Sequence, residues 1–239
     1  MLCSGGCIIV NLVTMKGVLV SFKSKASYMM FFSIINFALY FVIQAFATEH
    51  RFDFMTSYDE AIPFMPEHIW IYHSMMPVIV VTMALLVKTK RNFFITFWSC
   101  VVAAFVLNIS YLLLPAHYPR IPFEINTLSE ALVDLTRQID GANNTFPSGH
   151  VTFAWILFIG ASNTKLADIF LGIKPLYLLW AIGISLSTLV LKQHYIVDVL
   201  TGVSLAYTSY FLVDSAAKRF RIFCENEPAA AADSERPAD

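Results

Sequence analysis

The sequence predicts an all-α, polytopic membrane protein with six transmembrane helices. Three observations carry that expectation. Of 239 residues, 57% are hydrophobic and only 14% charged, and the mean hydropathy is +0.64, values outside the range of soluble globules. The apolar residues come in runs of membrane length. The basic residues fall on alternate connections between those runs.

Taken in order, residues 1–26 are mildly apolar but interrupted by Gly5, Gly6, Asn11 and Gly17, and they carry Lys16, Lys23 and Lys25. They are expected to form a cytoplasmic or interfacial segment. The start lacks the charged n-region and cleavage site of a signal peptide, and Met15 is a second plausible initiator. Ser27 to Ala47 is the first span, long enough for the ~30 Å hydrocarbon core. An acidic loop, 48–68, leads to the second span, Ile69 to Val87, and Phe93 to Leu114 is the third. In the long loop 115–149, Leu128, Leu132, Leu135 and Ile139 recur at helical spacing among charged residues, which predicts an amphipathic surface helix. The fourth span is expected from His150 through Lys165 to Leu171, with Lys165 snorkelling. Leu176 to about Leu191 is the fifth and Ile196 to Val213 the sixth, so that residues 27–213 form the membrane domain. Residues 214–239, Ala-, Glu- and Pro-rich after Lys218, read as a disordered cytoplasmic tail.

The basic clusters Lys16/Lys23/Lys25, Lys88/Lys90/Arg91, Lys165/Lys174 and Lys218/Arg219/Arg221 then share one side with both termini. By the positive-inside rule that side is cytoplasmic. Arg120, His150 and His194 all fall on the opposite face, although nothing in the span boundaries required it. Cys3, Cys7, Cys100 and Cys224 show no metal-ligand spacing, and no disulfide framework is expected.

Two polar breaks interrupt the apolar runs. In Phe146-Pro147-Ser148-Gly149-His150, Pro147 disfavours helix before it and Ser148 is a good N-cap. His150 then lies in the first turn, beside backbone N–H groups suited to an anion. In Lys192-Gln193-His194-Tyr195-Ile196-Val197-Asp198, the histidine and aspartate stand four residues apart, on one face if the helix begins near His194. A carboxylate there can hold the imidazole Nδ1–H and leave Nε2 as a nucleophile. These parts suit phosphoryl transfer. Arg120 and Lys192 would neutralise phosphate oxygens. Ser148 and the amides of Gly149 and His150 would stabilise transition-state charge. His194 would attack phosphorus, and His150 would protonate the leaving oxygen. No Asp/Glu cluster suggests a metal, and no cofactor or nucleic-acid partner is expected. His50, His68, His73 and His117 have no partners at telling spacings and read as loop or interface residues.

At these residues the chain resembles the type 2 phosphatidic acid phosphatase (PAP2) superfamily, and within it the branch that includes inositol phosphorylceramide synthases. Phe146 to His150 matches the second motif, Ser187 to Gly202 the third, and Ile62-Pro63-Phe64 with Trp70-Ile71-Tyr72 is similar to that branch. The resemblance implies a PAP2-like helical bundle. It also implies His194 as nucleophile, His150 as acid, Asp198 as orienter, and a phospholipid or sphingolipid-type substrate. Hydrolysis is the first expectation, transfer to a lipid alcohol the second. A catalytically silent lipid-binding transporter or scaffold is the alternative from another class, and it would be expected to lose one of those three residues. The sequence departs from the family's pattern in two places. Leu113 replaces the first motif's lysine, with Pro122 one place late after Arg120-Ile121. Thr188 stands where the third motif has arginine, leaving Lys192 as the nearest cation.

Overall fold

Helix follows helix with short, capped breaks between them. The computed structural model describes residues 22–46, 52–83, 90–220 and 222, and among these there is no strand, only an isolated bridge between Phe52 and Ala116. The helices are α1 (Phe22–Phe46), α2 (Ser57–Ala61), α3 (Ile69–His73), α4 (Met75–Val81), α5 (Lys90–Leu113), α6 (Leu128–Ile139), α7 (Gly149–Ser162), α8 (Lys165–Ile169), α9 (Ile173–Val190) and α10 (Ile196–Arg219). Most of the expected N-terminal segment and of the C-terminal tail lies outside the described residues, as does His50.

Among the described residues, four helices are long and apolar enough to cross a membrane: Lys25–Phe46, Arg91–Leu113, Ile173–Val190 and Ile196–Arg219. They correspond to the expected first, third, fifth and sixth spans. The last runs beyond Val213, because Asp214 is paired with Arg91 at 2.7 Å and Lys218 at 2.6 Å, and Lys218 and Arg219 suit the negative end of the helix.

The second and fourth expected spans take a different form. The second is broken at Ser74, between α3 and α4. Pro77 has no N–H for the carbonyl one turn back, and the Ser74 hydroxyl instead donates to Ile71 O at 2.6 Å. Residues 84–89 lie outside the described set. The fourth does not continue through Lys165: α7 stops after 14 residues at Ser162. Thr164 ends it by donating its hydroxyl to Ala161 O at 2.8 Å, and it starts α8 by accepting from Ala167 N at 3.2 Å. A residue that caps a new helix cannot also extend the old one.

Helices α5, α7 and α10 pack through Ile95, Ala103, Ile156 and Ala206, all fully buried. Against α7 on its other side lies α9, with Ala154, Ala181 and Ile184 at the contact. The start of α10 reaches the start of α7 because Gly202 has no side chain. A Cβ there would sit 2.9 Å from Ser148 O. This close approach brings the two polar breaks together.

Helix α6 matches the sequence expectation over Leu128–Ile139, opened by a capping box between Thr127 and Glu130. The face it buries is Val133 and Thr136, whereas Leu128, Leu135 and Ile139 remain more than half exposed. Leu132 packs inward against the cluster of Ile69, Tyr72, Val133 and Leu191, so the stripe is divided between core and surface.

Candidate active site

The first break folds as its residues dictate. Ser148 caps α7, its side chain accepting from Val151 N at 3.5 Å, and its own N–H donates to Asp198 O at 3.1 Å. Tyr111 OH donates to Pro147 O at 3.1 Å. Ser148 is fully buried, so its hydroxyl serves the helix end. His150 lies in the first turn with its ring stacked on Tyr72, centroids 4.0 Å apart and planes at 26°. The Tyr72 hydroxyl is 3.2 Å from His150 Nδ1.

The second break is a tight reversal after α9. Lys192 adopts φ 56°, and the N–H groups of Gln193 and His194 both donate to Thr188 O, at 3.0 and 3.3 Å. Helix α10 begins at Ile196, two residues later than the shared-face reading required, so His194 lies in the loop. Its Nδ1 nevertheless reaches Asp198 Oδ2 at 3.3 Å, and it lies closer, 2.8 Å, to Thr145 O. A carbonyl can only accept, so Nδ1 carries a proton, and in the neutral ring Nε2 is the nitrogen with the lone pair. Asp198 is fully buried and also accepts from Tyr195 N at 2.9 Å. Asp59, in what the sequence reads as a merely acidic loop, accepts from Ile196 N at 2.7 Å and secures the same helix start.

Arg120 reaches this region from the loop before α6. Its Nη1 donates to Gln193 Oε1 and, at 3.4 Å, to Lys192 O; its Nη2 donates to Asp140 O at 3.2 Å and Gly141 O at 2.6 Å. The Asp140 carboxylate accepts from Tyr40 OH. Burial raises the Asp140 pKa above the usual carboxylate value, against the Tyr40 bond and the Arg120 charge, and burial lowers that of Arg120.

Lys192 does not join them. It is 3% exposed, and its ammonium donates to Asp59 O at 2.6 Å, away from the cavity. Its positive φ turns the side chain onto the 52–61 segment, away from where a replacement for the missing arginine would stand. Lys192→Met is expected to destabilise the fold by about 1–3 kcal/mol, since it strands a buried carbonyl, while turnover per folded molecule stays near wild type. Thermal melting alongside turnover checks this. Lost turnover with an unchanged melting temperature would return the ammonium to the substrate.

Arg120, Gly149, His150, Gln193 and His194 line one cavity of about 570 Å³. It extends along α1 from Lys25 to Phe41, about 24 Å of helix, between apolar walls that include Phe32, Phe37, Met76 and Ile79. Side-chain reading missed several groups here. Thr145 contributes a backbone carbonyl, which no residue type announces. Tyr72 and Gln193 stood inside quoted motifs without a role. His73, read as a loop or interface residue, lines the cavity and meets Thr136 Oγ1 at 2.9 Å. Among the described residues, no group of three or more His, Cys, Asp or Glu is placed to hold a metal ion.

With both histidines on one cavity, the comparison with known families becomes informative. The profile of the PAP2 superfamily matches residues 122–221. This part of the chain belongs to the PAP2 superfamily. No curated protein matches the sequence. The PAP2 match takes in His150, His194 and Asp198 but begins two residues after Arg120. The superfamily comprises phosphatases and phosphotransferases, and its membrane-embedded members act on lipid-type substrates.

Proposed function

We propose that the protein is an integral membrane lipid phosphatase that works through a phosphohistidine on His194. The observation that carries this reading is the pair of acceptors on His194 Nδ1, Thr145 O and Asp198, which leaves Nε2 unprotonated on the cavity shared with His150. Nε2 attacks phosphorus, the bond from phosphorus to the lipid oxygen breaks, and His150 delivers a proton to that oxygen. Water then attacks the phosphorus, giving its proton to His150, and the Nε2–P bond breaks to free phosphate and the His194 ring. Arg120 holds phosphoryl oxygens, Asp198 offsets the charge on the ring, and the α7 start at Ser148, Gly149 and His150 supplies a positive helix end. The proposed topology is six crossings with both termini cytoplasmic and the site on the non-cytoplasmic face. It is supported by the alternation of basic connections.

A second reading is supported by the long apolar cavity, which suits a lipid alcohol as well as it suits a lipid phosphate. The phosphoryl or phospho-headgroup would then pass to a lipid hydroxyl, as in the inositol phosphorylceramide synthase branch. Purified protein incubated with radiolabelled phospholipids, with and without lipid alcohols, separates the two. Labelled inorganic phosphate supports hydrolysis, labelled lipid product supports transfer, and neither product from any substrate would defeat both. In sealed vesicles, an impermeant aryl phosphate should turn over only when the non-cytoplasmic face is outside.

A further inference from the structure

Gln193 stands between Lys192 and His194, is 3% exposed, and lies on the cavity wall. A side-chain amide has one accepting and one donating end, and here the neighbour decides which is which. Arg120 Nη1 can only donate, so the atom it meets is Gln193 Oε1. Nε2 is then left buried with two N–H groups and no acceptor among the described residues. Arg120 Nε is in the same condition, buried and without a partner, while Nη1 and Nη2 are occupied. Buried donors without acceptors are costly and rare in folded proteins. Two of them sit on directly bonded partners, beside a histidine whose Nε2 carries a free lone pair. Such a set is satisfied by a group that brings several acceptor oxygens at once.

We infer that Gln193 is a phosphoryl-binding residue. Its Nε2–H and the Arg120 Nε–H receive non-bridging oxygens of the phosphate group that His194 attacks. This rests on the phosphohistidine reading and adds to it the donor missing from the third motif. Thr188 is too short to replace an arginine side chain there. Its carbonyl instead holds the Gln193 and His194 amides and so sets the amide beside the nucleophile. Lys192 directs its ammonium to Asp59 O, and its side chain does not line the cavity.

The rival role for Gln193 is to anchor Arg120 through Oε1, and two substitutions tell the roles apart. Gln193→Met removes both ends of the amide without adding charge. Gln193→Glu keeps an acceptor for Arg120 but turns an oxygen toward the phosphate. The probe is orthovanadate binding to the full-length protein in lipid nanodiscs, with melting temperature recorded for each variant. Both variants are expected to bind vanadate roughly 10- to 100-fold more weakly than wild type, the value of a hydrogen bond to a charged group. Gln193→Glu should melt close to wild type. If Gln193→Met unfolds, the comparison stands on Gln193→Glu. A folded variant that binds vanadate within about threefold of wild type would overturn the assignment and leave Gln193 as an anchor. Wild-type protein that binds no vanadate would overturn the phosphoryl site itself, and the inference with it.

Discussion

Turnover of lipid phosphate is expected to fall by on the order of 10⁶-fold in His194→Ala, because the attacking atom is gone. Asp198→Asn should cost much less, about 10²- to 10³-fold. The reason lies in the hydrogen bonds. Had the carboxylate been the sole partner of Nδ1, an amide in its place could reverse the tautomer and cost about 10⁴-fold. Here Thr145 O, at 2.8 Å, is closer than Asp198 at 3.3 Å and still requires a proton on Nδ1 after the substitution. What Asp198→Asn removes is the negative charge facing a ring that turns cationic on phosphorylation. Single-turnover rates with labelled substrate measure both variants. A loss in Asp198→Asn as complete as that in His194→Ala would mean that the carboxylate, and not the carbonyl, controls the tautomer.

His150→Ala is expected to slow release of a lipid alkoxide by ~10²- to 10⁴-fold, the range of general acid catalysis. An activated aryl phosphate should be far less affected, since a nitrophenolate leaves without a proton. The ratio of turnover on the two substrates therefore rises and falls with the acid, whereas His194→Ala disables both alike. Tyr72→Phe keeps the ring stacked on His150 and removes the hydroxyl at Nδ1, so it should shift the same ratio in the same direction by a smaller factor. An unchanged ratio in His150→Ala, with chemistry shown to limit turnover, would make His150 a phosphate-binding or structural residue.

Local signals in the sequence held where they had a local cause. The periodicity from Leu128 to Ile139 gave α6 its extent, and Pro147-Ser148 gave α7 its start. The end of α7 was missed because the span was carried through Lys165 to reach membrane length, while the stop is a hydroxyl on Thr164 bonding both ways. The two histidines that meet on one cavity, His150 and His194, were singled out by spacing and by their position between apolar runs. Their immediate partners were not. Thr145 acts through its backbone, and Tyr72 meets His150 across 78 residues of chain. Lys192 and Gln193 are neighbours in sequence with opposite directions in space, and only the left-handed turn at Lys192 decides which of them faces the cavity.

Helix α6 has a practical consequence for the experimenter. Its Leu128, Leu135 and Ile139 are more than half exposed, and each apolar side chain removed from water contributes roughly 1.5–3 kcal/mol. The same helix brings Thr136 to the cavity wall and ends at Asp140, whose carbonyl holds Arg120. Detergent chain length and micelle curvature thus act on the seating of a catalytic wall, and the choice of surfactant becomes a variable of the assay.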